Sequence, residues 1–178
     1  MKTTVDVLIA TLCYGGNGGN ALILPEIAFW LLDLQRKLDK DKRIGRVALK
    51  KYGDVPLSFE RNRIARDAIE GGFDITISLD SDNQPDIDVG KKPWAKPFWD
   101  TSFDFAFERL MRGVPSVVCS GYCGPPPLEN VYVFDFENQA TGRRDEVPQL
   151  VAYSRSRAAQ MRGIVPIGAG PTGVILIT

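Results

Sequence analysis

Histidine is absent from all 178 residues, and that absence removes a whole class of chemistry. There can be no Ser-His-Asp or Cys-His nucleophile, no imidazole general base and no imidazole metal ligand. Cysteine is scarce: Cys13, Cys119 and Cys123 make an odd count of 3. Their spacing supplies no disulfide framework, and a zinc site would want more thiols or histidines. Charge of one sign is not in excess, since Lys plus Arg (22) balances Asp plus Glu (22). No bulk field therefore draws the chain to nucleic acid or to a membrane. The apolar run "VDVLIATL" near the N-terminus is too short and too quickly broken for a signal peptide or a membrane span. Free thiols without an export signal give cytoplasmic localisation as the expectation. What remains for chemistry is carboxylates, hydroxyls, backbone N–H groups, Arg, Lys and a metal held by oxygens.

What is present suits one α/β domain over residues 1–178, a length that buries a core without staples. Residues 5–12 form a nearly continuous apolar stretch, the style of a parallel strand covered on both faces. Pro25 opens a helix with Ile27, Trp30, Leu31, Leu34 and Leu38 on one face. "RVALKKY" is a second strand. Ser58 is placed to cap a helix through "FERNRIARDAIEGG", with Ile64, Ala65, Ala68 and Ile69 inward and Gly71 or Gly72 stopping it. "FDITISL" is a third strand, followed by an irregular excursion over residues 86–101. "SFDFAFERLMRG" is helical, with Phe103, Ala106, Phe107, Leu110 and Met111 on one face. "PSVVC" reads as a short buried strand, "NVYVFDFE" as a half-exposed one, "SRSRAAQMRG" as a short helix and "GVILIT" as a last strand. The chain ends inside that apolar strand, so the expectation is a piece of a longer protein that lacks a C-terminal segment.

The third strand poses the chemical question, because "ITISL" runs straight into Asp80 and Asp82. Ligands of open α/β sheets sit beyond the carboxyl ends of the strands. Alternate residues of an extended segment can point the same way, which would set the two carboxylates side by side. Two close carboxylates repel unless a cation lies between them, and Mg²⁺ or Mn²⁺ held this way usually also holds substrate phosphates. Asp, Ser and Asn are equally the residues of an exposed turn. A phosphatase signature D-x-D-x-[TV] fails, because Asn83 and Gln84 follow. No G-x-x-x-x-G-K-[ST] loop exists for a P-loop ATPase.

The segment "ERNRIARDAIEGGFDITISLDSD" resembles glycosyltransferases of the GT-A fold, in which an "ARNR"-like helix precedes a strand ending in a D-x-D motif. "VPIGAGPTGVILI" resembles the later glycine-threonine-glycine approach to a strand in the family-two-like bacterial and phage members. The resemblance implies a three-layer α/β/α sandwich with a mostly parallel central sheet. It implies metal-dependent transfer of a sugar from a nucleoside-diphosphate donor, with Mn²⁺ or Mg²⁺ as cofactor. Thr11 would meet the base or ribose, and Arg61 or Asn62 would approach the nucleotide, with Arg66 one turn on. Asp80 would contact ribose or a metal-bound water, and Asp82 the metal. Gly170, Thr172 and Gly173 would shape the sugar and acceptor side. The acceptor stays open between glycan, lipid, protein and a modified DNA base. Relatives of this kind carry a later acidic base and often a metal-binding histidine. Neither is matched here, so the catalytic base is unassigned.

Two other readings stand beside this one. "GGNGGNA" supplies Gly16-x-Gly18-x-x-Ala21 between a strand and a helix, the local form of a Rossmann NAD(P) loop. The acidic ribose partner is missing, but Lys50 and Lys51 could suit a 2′-phosphate. That reading leaves the acidic pair unexplained. The second is a transferase-like domain that binds a nucleotide without catalysis. Trp94, Phe98 and Trp99 could stack on a sugar or base, or pack in the core. The triple proline at 125–127 is a stiff extended connector.

Overall fold

Val5–Cys13 (β1) is the first strand of the fold in this computed structural model, which describes residues 3–13, 23–53, 56–121, 131–136 and 149–178. Pro25–Leu38 (α1) leads to Ile44–Gly53 (β2), and Leu57–Gly71 (α2) to Ile75–Asp80 (β3). Phe98–Met111 (α3) and Val117–Cys119 (β4) follow. Then come Phe134–Phe136 (β5), Leu150–Ala152 (β6), Arg155–Gln160 (α4) and Val174–Ile177 (β7). The described residues make a mixed α/β fold with a five-stranded sheet in the order β2-β1-β3-β7-β4 and a separate β5-β6 pair. β1 pairs in parallel with β2 and β3, whereas β7 runs antiparallel to both β3 and β4. Only β7 therefore opposes the common direction, as expected of a sheet that is mostly parallel and less regular late in the chain.

Both faces of β1 are buried, which explains its unbroken apolar run. Val5, Val7 and Ile9 join Ile75, Ile77, Leu79 and the inward residues of α1 and α3 in one cluster. Leu8, Ala10 and Leu12 join Tyr52 and Ile64 of α2 in another. Each fully buried Leu, Ile or Phe contributes about 1.5–3 kcal/mol relative to exposure. Ile27, Leu31, Leu34 and Leu38 bury the α1 face as expected, while Trp30 is half-buried.

Several expectations need correction. α2 begins at Leu57 with Pro56 at its cap position and no side-chain cap, so Ser58 lies exposed within the first turn. The inward stripe of α2 is Glu60, Ile64 and Ala68. Ala65 is exposed and Ile69 is 80% exposed, because they lie one position round the helix. Gly72 ends α2 in the left-handed conformation (φ 64°), as foreseen. α3 starts at Phe98 inside the expected irregular stretch, and Met111 is exposed rather than inward. β4 is an edge strand with Val117 65% exposed, since among the described residues no strand pairs beyond it. β5 is shorter than expected and pairs with β6, which periodicity did not reveal in three exposed residues. The glycine loop at 14–20, Ala21, Cys123 and the triple proline lie outside the described residues.

Candidate functional site

β1, β2 and β3 are parallel, so Cys13, Gly53 and Asp80 end at one sheet edge. The antiparallel β7 starts there, bringing Thr172 and Gly173 alongside. From β1 the chain passes by α1 to β2 on one side, then by α2 to β3 on the other. Connections leaving the carboxyl ends of β1 and β3 thus diverge, the topological switch point where open α/β sheets bind ligands.

The tip of β3 is pinned from both sides. The Asp80 amide donates to the Gly173 carbonyl (2.8 Å), and the Ser81 amide to the Leu12 carbonyl (2.8 Å). The Asn83 amide donates back to the Asp80 carbonyl (3.1 Å), closing a tight turn over residues 80–83. Asp80 and Asp82 therefore do not alternate along an extended segment: the strand stops at Asp80, which is half-buried, and Asp82 stands exposed in the turn. Burial pushes the Asp80 carboxyl up to about 6. The Arg61 guanidinium opposes that shift and the Asp82 charge adds to it, so both groups act on Asp80 electrostatically. Arg61 also donates to the Thr172 hydroxyl at 2.5 Å. Of the residues singled out by sequence, Asp80, Asp82, Arg61, Thr172 and Gly173 therefore come together.

Thr11 is buried at the end of β1, in register with Leu79, and its hydroxyl oxygen lacks any partner. Asn62 and Arg66 are exposed on α2 and make none of the contacts that join Arg61 to Thr172 and Asp80. Gly170 has a packing role: a Cβ there would run into the Cys119 sulfur and lie 2.8 Å from Ile167 Cδ1. Trp99 is a core residue stacked on Phe103 (4.5 Å between ring centres), and Phe98 packs beside it, so neither can stack on a ligand.

Glu60 was not singled out by the sequence. It lies in the first turn of α2, fully buried; Oε1 accepts from Arg63 (2.8 Å) while Oε2 has no partner. An acidic residue in a first helical turn ordinarily reads as dipole compensation on the surface, so only burial distinguishes it. Buried side-chain polar atoms in folded proteins are almost always paired, and an orphan calls for an explanation. Among the described residues the orphans are Thr11 Oγ1, Glu60 Oε2, Asp80 Oδ1 and Arg109 Nε. All but Arg109 belong to residues at the carboxyl edge of the sheet.

Asp86, also unforeseen, holds the loop that carries Asp82. It adopts a left-handed φ of 66° and accepts from Trp30 Nε1 (2.7 Å) and from the Phe98 amide (2.5 Å). The described residues contain no group of three or more His, Cys, Asp or Glu able to hold a metal by themselves. In comparisons with known proteins, no protein family matches this chain, and no curated protein or solved structure matches it either.

Proposed function

We propose that the carboxyl edge between β1 and β3 is the donor site of a metal-dependent glycosyltransferase that uses a nucleoside-diphosphate sugar. The observation that carries this reading is the meeting at one switch point of an acidic pair and a cationic side chain, with a buried, unpartnered carboxylate oxygen on Asp80. The finer fold reading belongs to the same proposal: a GT-A-like three-layer α/β/α sandwich. Its support is the division of the core into an α1/α3 cluster and an α2 cluster about one sheet.

The residues suit a divalent cation. Asp80 has a carboxylate oxygen that is buried and unpaired, and Asp82 adds a second carboxylate beside it. Mg²⁺ and Mn²⁺ sites commonly use one or two carboxylates and complete their shell with water and diphosphate oxygens, so a third protein ligand is not required. Asp80 and Asp82 would hold the ion, which when bound offsets the charge of a departing diphosphate. Arg61 would take a diphosphate oxygen, exchanging its hydrogen bond to Thr172 for a charge-assisted one. Thr11 and Glu60 would offer their unpaired oxygens to donor hydroxyls or to the base. The residue that takes the acceptor proton is unassigned.

The rival NAD(P) reading shares the switch point after β1 but leaves the acidic pair without a role. Its glycine loop lies outside the described residues, and Lys50 is engaged with Asp67 (2.9 Å).

Thermal stabilisation tests the proposal. A ligand at about a hundred times its Kd adds about 2.7 kcal/mol, or roughly 5–10 °C for a chain of this size. Uridine, guanosine and cytidine diphosphate sugars should include one that raises Tm only with Mn²⁺ present, and Asp82→Asn should abolish that metal-dependent part. Equal shifts with and without Mn²⁺, or a shift with NADPH alone, would count against the donor site.

A further inference from the structure

Two segments of this neutral chain carry positive charge without acidic residues. Residues 89–99, "VGKKPWAKPFW", hold Lys91, Lys92 and Lys96, and residues 149–178 hold Arg155, Arg157 and Arg162, of which Arg157 is paired with Asp135 (2.8 Å). The fold joins them, because the Arg162 guanidinium lies 4.2 Å from the ring centre of Trp94, with Lys92 Nζ 5.2 Å from that centre. Trp94 is nevertheless 47% exposed. Lys92 is paired with Asp88 (2.8 Å), whereas Lys91 and Lys96 are exposed and form no ion pair among the described residues. Exposed Ile164 lies on the second segment, and exposed Ile87 precedes the first, between Asp86 and Asp88.

We infer that this Trp94-centred basic face docks on the surface of an anionic lipid bilayer. Tryptophan favours the boundary between headgroups and acyl chains, where its ring is apolar and its N–H is wet. Lysine and arginine around it meet the negative surface while their stems cover apolar area. A single-stranded nucleic acid fits the same face less well. The guanidinium already covers the indole, and branched Ile87 and Ile164 offer no plane on which a base could stack. Net charge is irrelevant to such docking, since attraction acts over about a Debye length, roughly 8 Å at physiological salt. The inference is independent of the donor site and needs no nucleotide.

Co-sedimentation with vesicles tests it. The chain should bind vesicles containing about 30 mol% phosphatidylserine at least tenfold more tightly than neutral phosphatidylcholine vesicles. Each basic residue near such a surface is worth about a fivefold change in affinity, so Lys91→Glu with Lys96→Glu should weaken binding by more than about 25-fold. Trp94→Ser should weaken it further. The matched double variant Lys40→Glu with Lys42→Glu, at the turn before β2, makes the same change in net charge and should leave binding unchanged. All four lysines are exposed, and an unaltered circular dichroism spectrum verifies folding. Equal binding to neutral and anionic vesicles would overturn the inference, as would equal losses from the two double variants. It would equally be overturned if a single-stranded oligonucleotide bound in a Lys91- and Lys96-dependent way while the vesicles did not.

Discussion

At the scale of single residues, the most informative side chain is Asp80, whose carboxyl is pushed up to about 6 chiefly by burial. An unfolded aspartate titrates near 3.9, so between these values the folded chain binds more protons than the unfolded one. Stability therefore falls as pH rises from about 4 to about 6, and the penalty persists at higher pH. Asp80→Asn should remove it, raising stability at neutral pH by about 1 kcal/mol once the screening of a half-exposed group is allowed for. Urea melts across that window check the prediction: the difference between variant and parent should vanish near the acid end. The same variant should lose Mn²⁺-dependent stabilisation, the pattern of a group kept for function at a cost in stability. The sequence pointed to Asp80, Asp82 and Arg61 through their place at a strand tip and on the preceding helix. It gave no sign of Glu60, because an acidic residue in a first turn is ordinary and its burial depends on what packs over it.

At the scale of elements, the periodicity of α1 was readable because its apolar stripe is continuous. α2 offered two competing stripes one position apart, and the one through Ile64 won by meeting Leu12 and Tyr52. The loop between β3 and α3 is held by Asp86, whose carboxylate takes both the Trp30 indole and the first amide of α3. Asp86→Ala should cost about 1–3 kcal/mol, because both donors lose their partner and alanine tolerates the left-handed φ poorly. Asp86→Asn should cost less, since asparagine accepts that conformation more readily and keeps an acceptor oxygen. Guanidinium denaturation of the two variants checks the order.

At the scale of the whole molecule, β7 decides how the sheet closes. The last described strand along the chain, it lies inside the sheet between β3 and β4. Leu176 is fully buried there, whereas Ile177 is 40% exposed. Leu176→Ala should cost about 2–5 kcal/mol through lost burial and a residual cavity, and Ile177→Ala distinctly less. Thermal melts should separate the two clearly. β7 also carries the loop that supplies Thr172 and Gly173 to the tip of β3, so Leu176→Ala should weaken any ligand response as well.

The sequence alone determined which chemistries are closed to this chain, the existence and type of the longer elements, and the acidic tip with its cationic helix. These follow from composition and from contacts between near neighbours, which backbone preference and periodicity encode. Only the tertiary structure decided that Thr172 would meet Arg61 across 111 residues, that the acidic pair would fold into a turn, and that Trp99 would enter the core while Trp94 stayed outside. Those outcomes depend on which stripe and which strand find a partner, and packing between distant segments selects them.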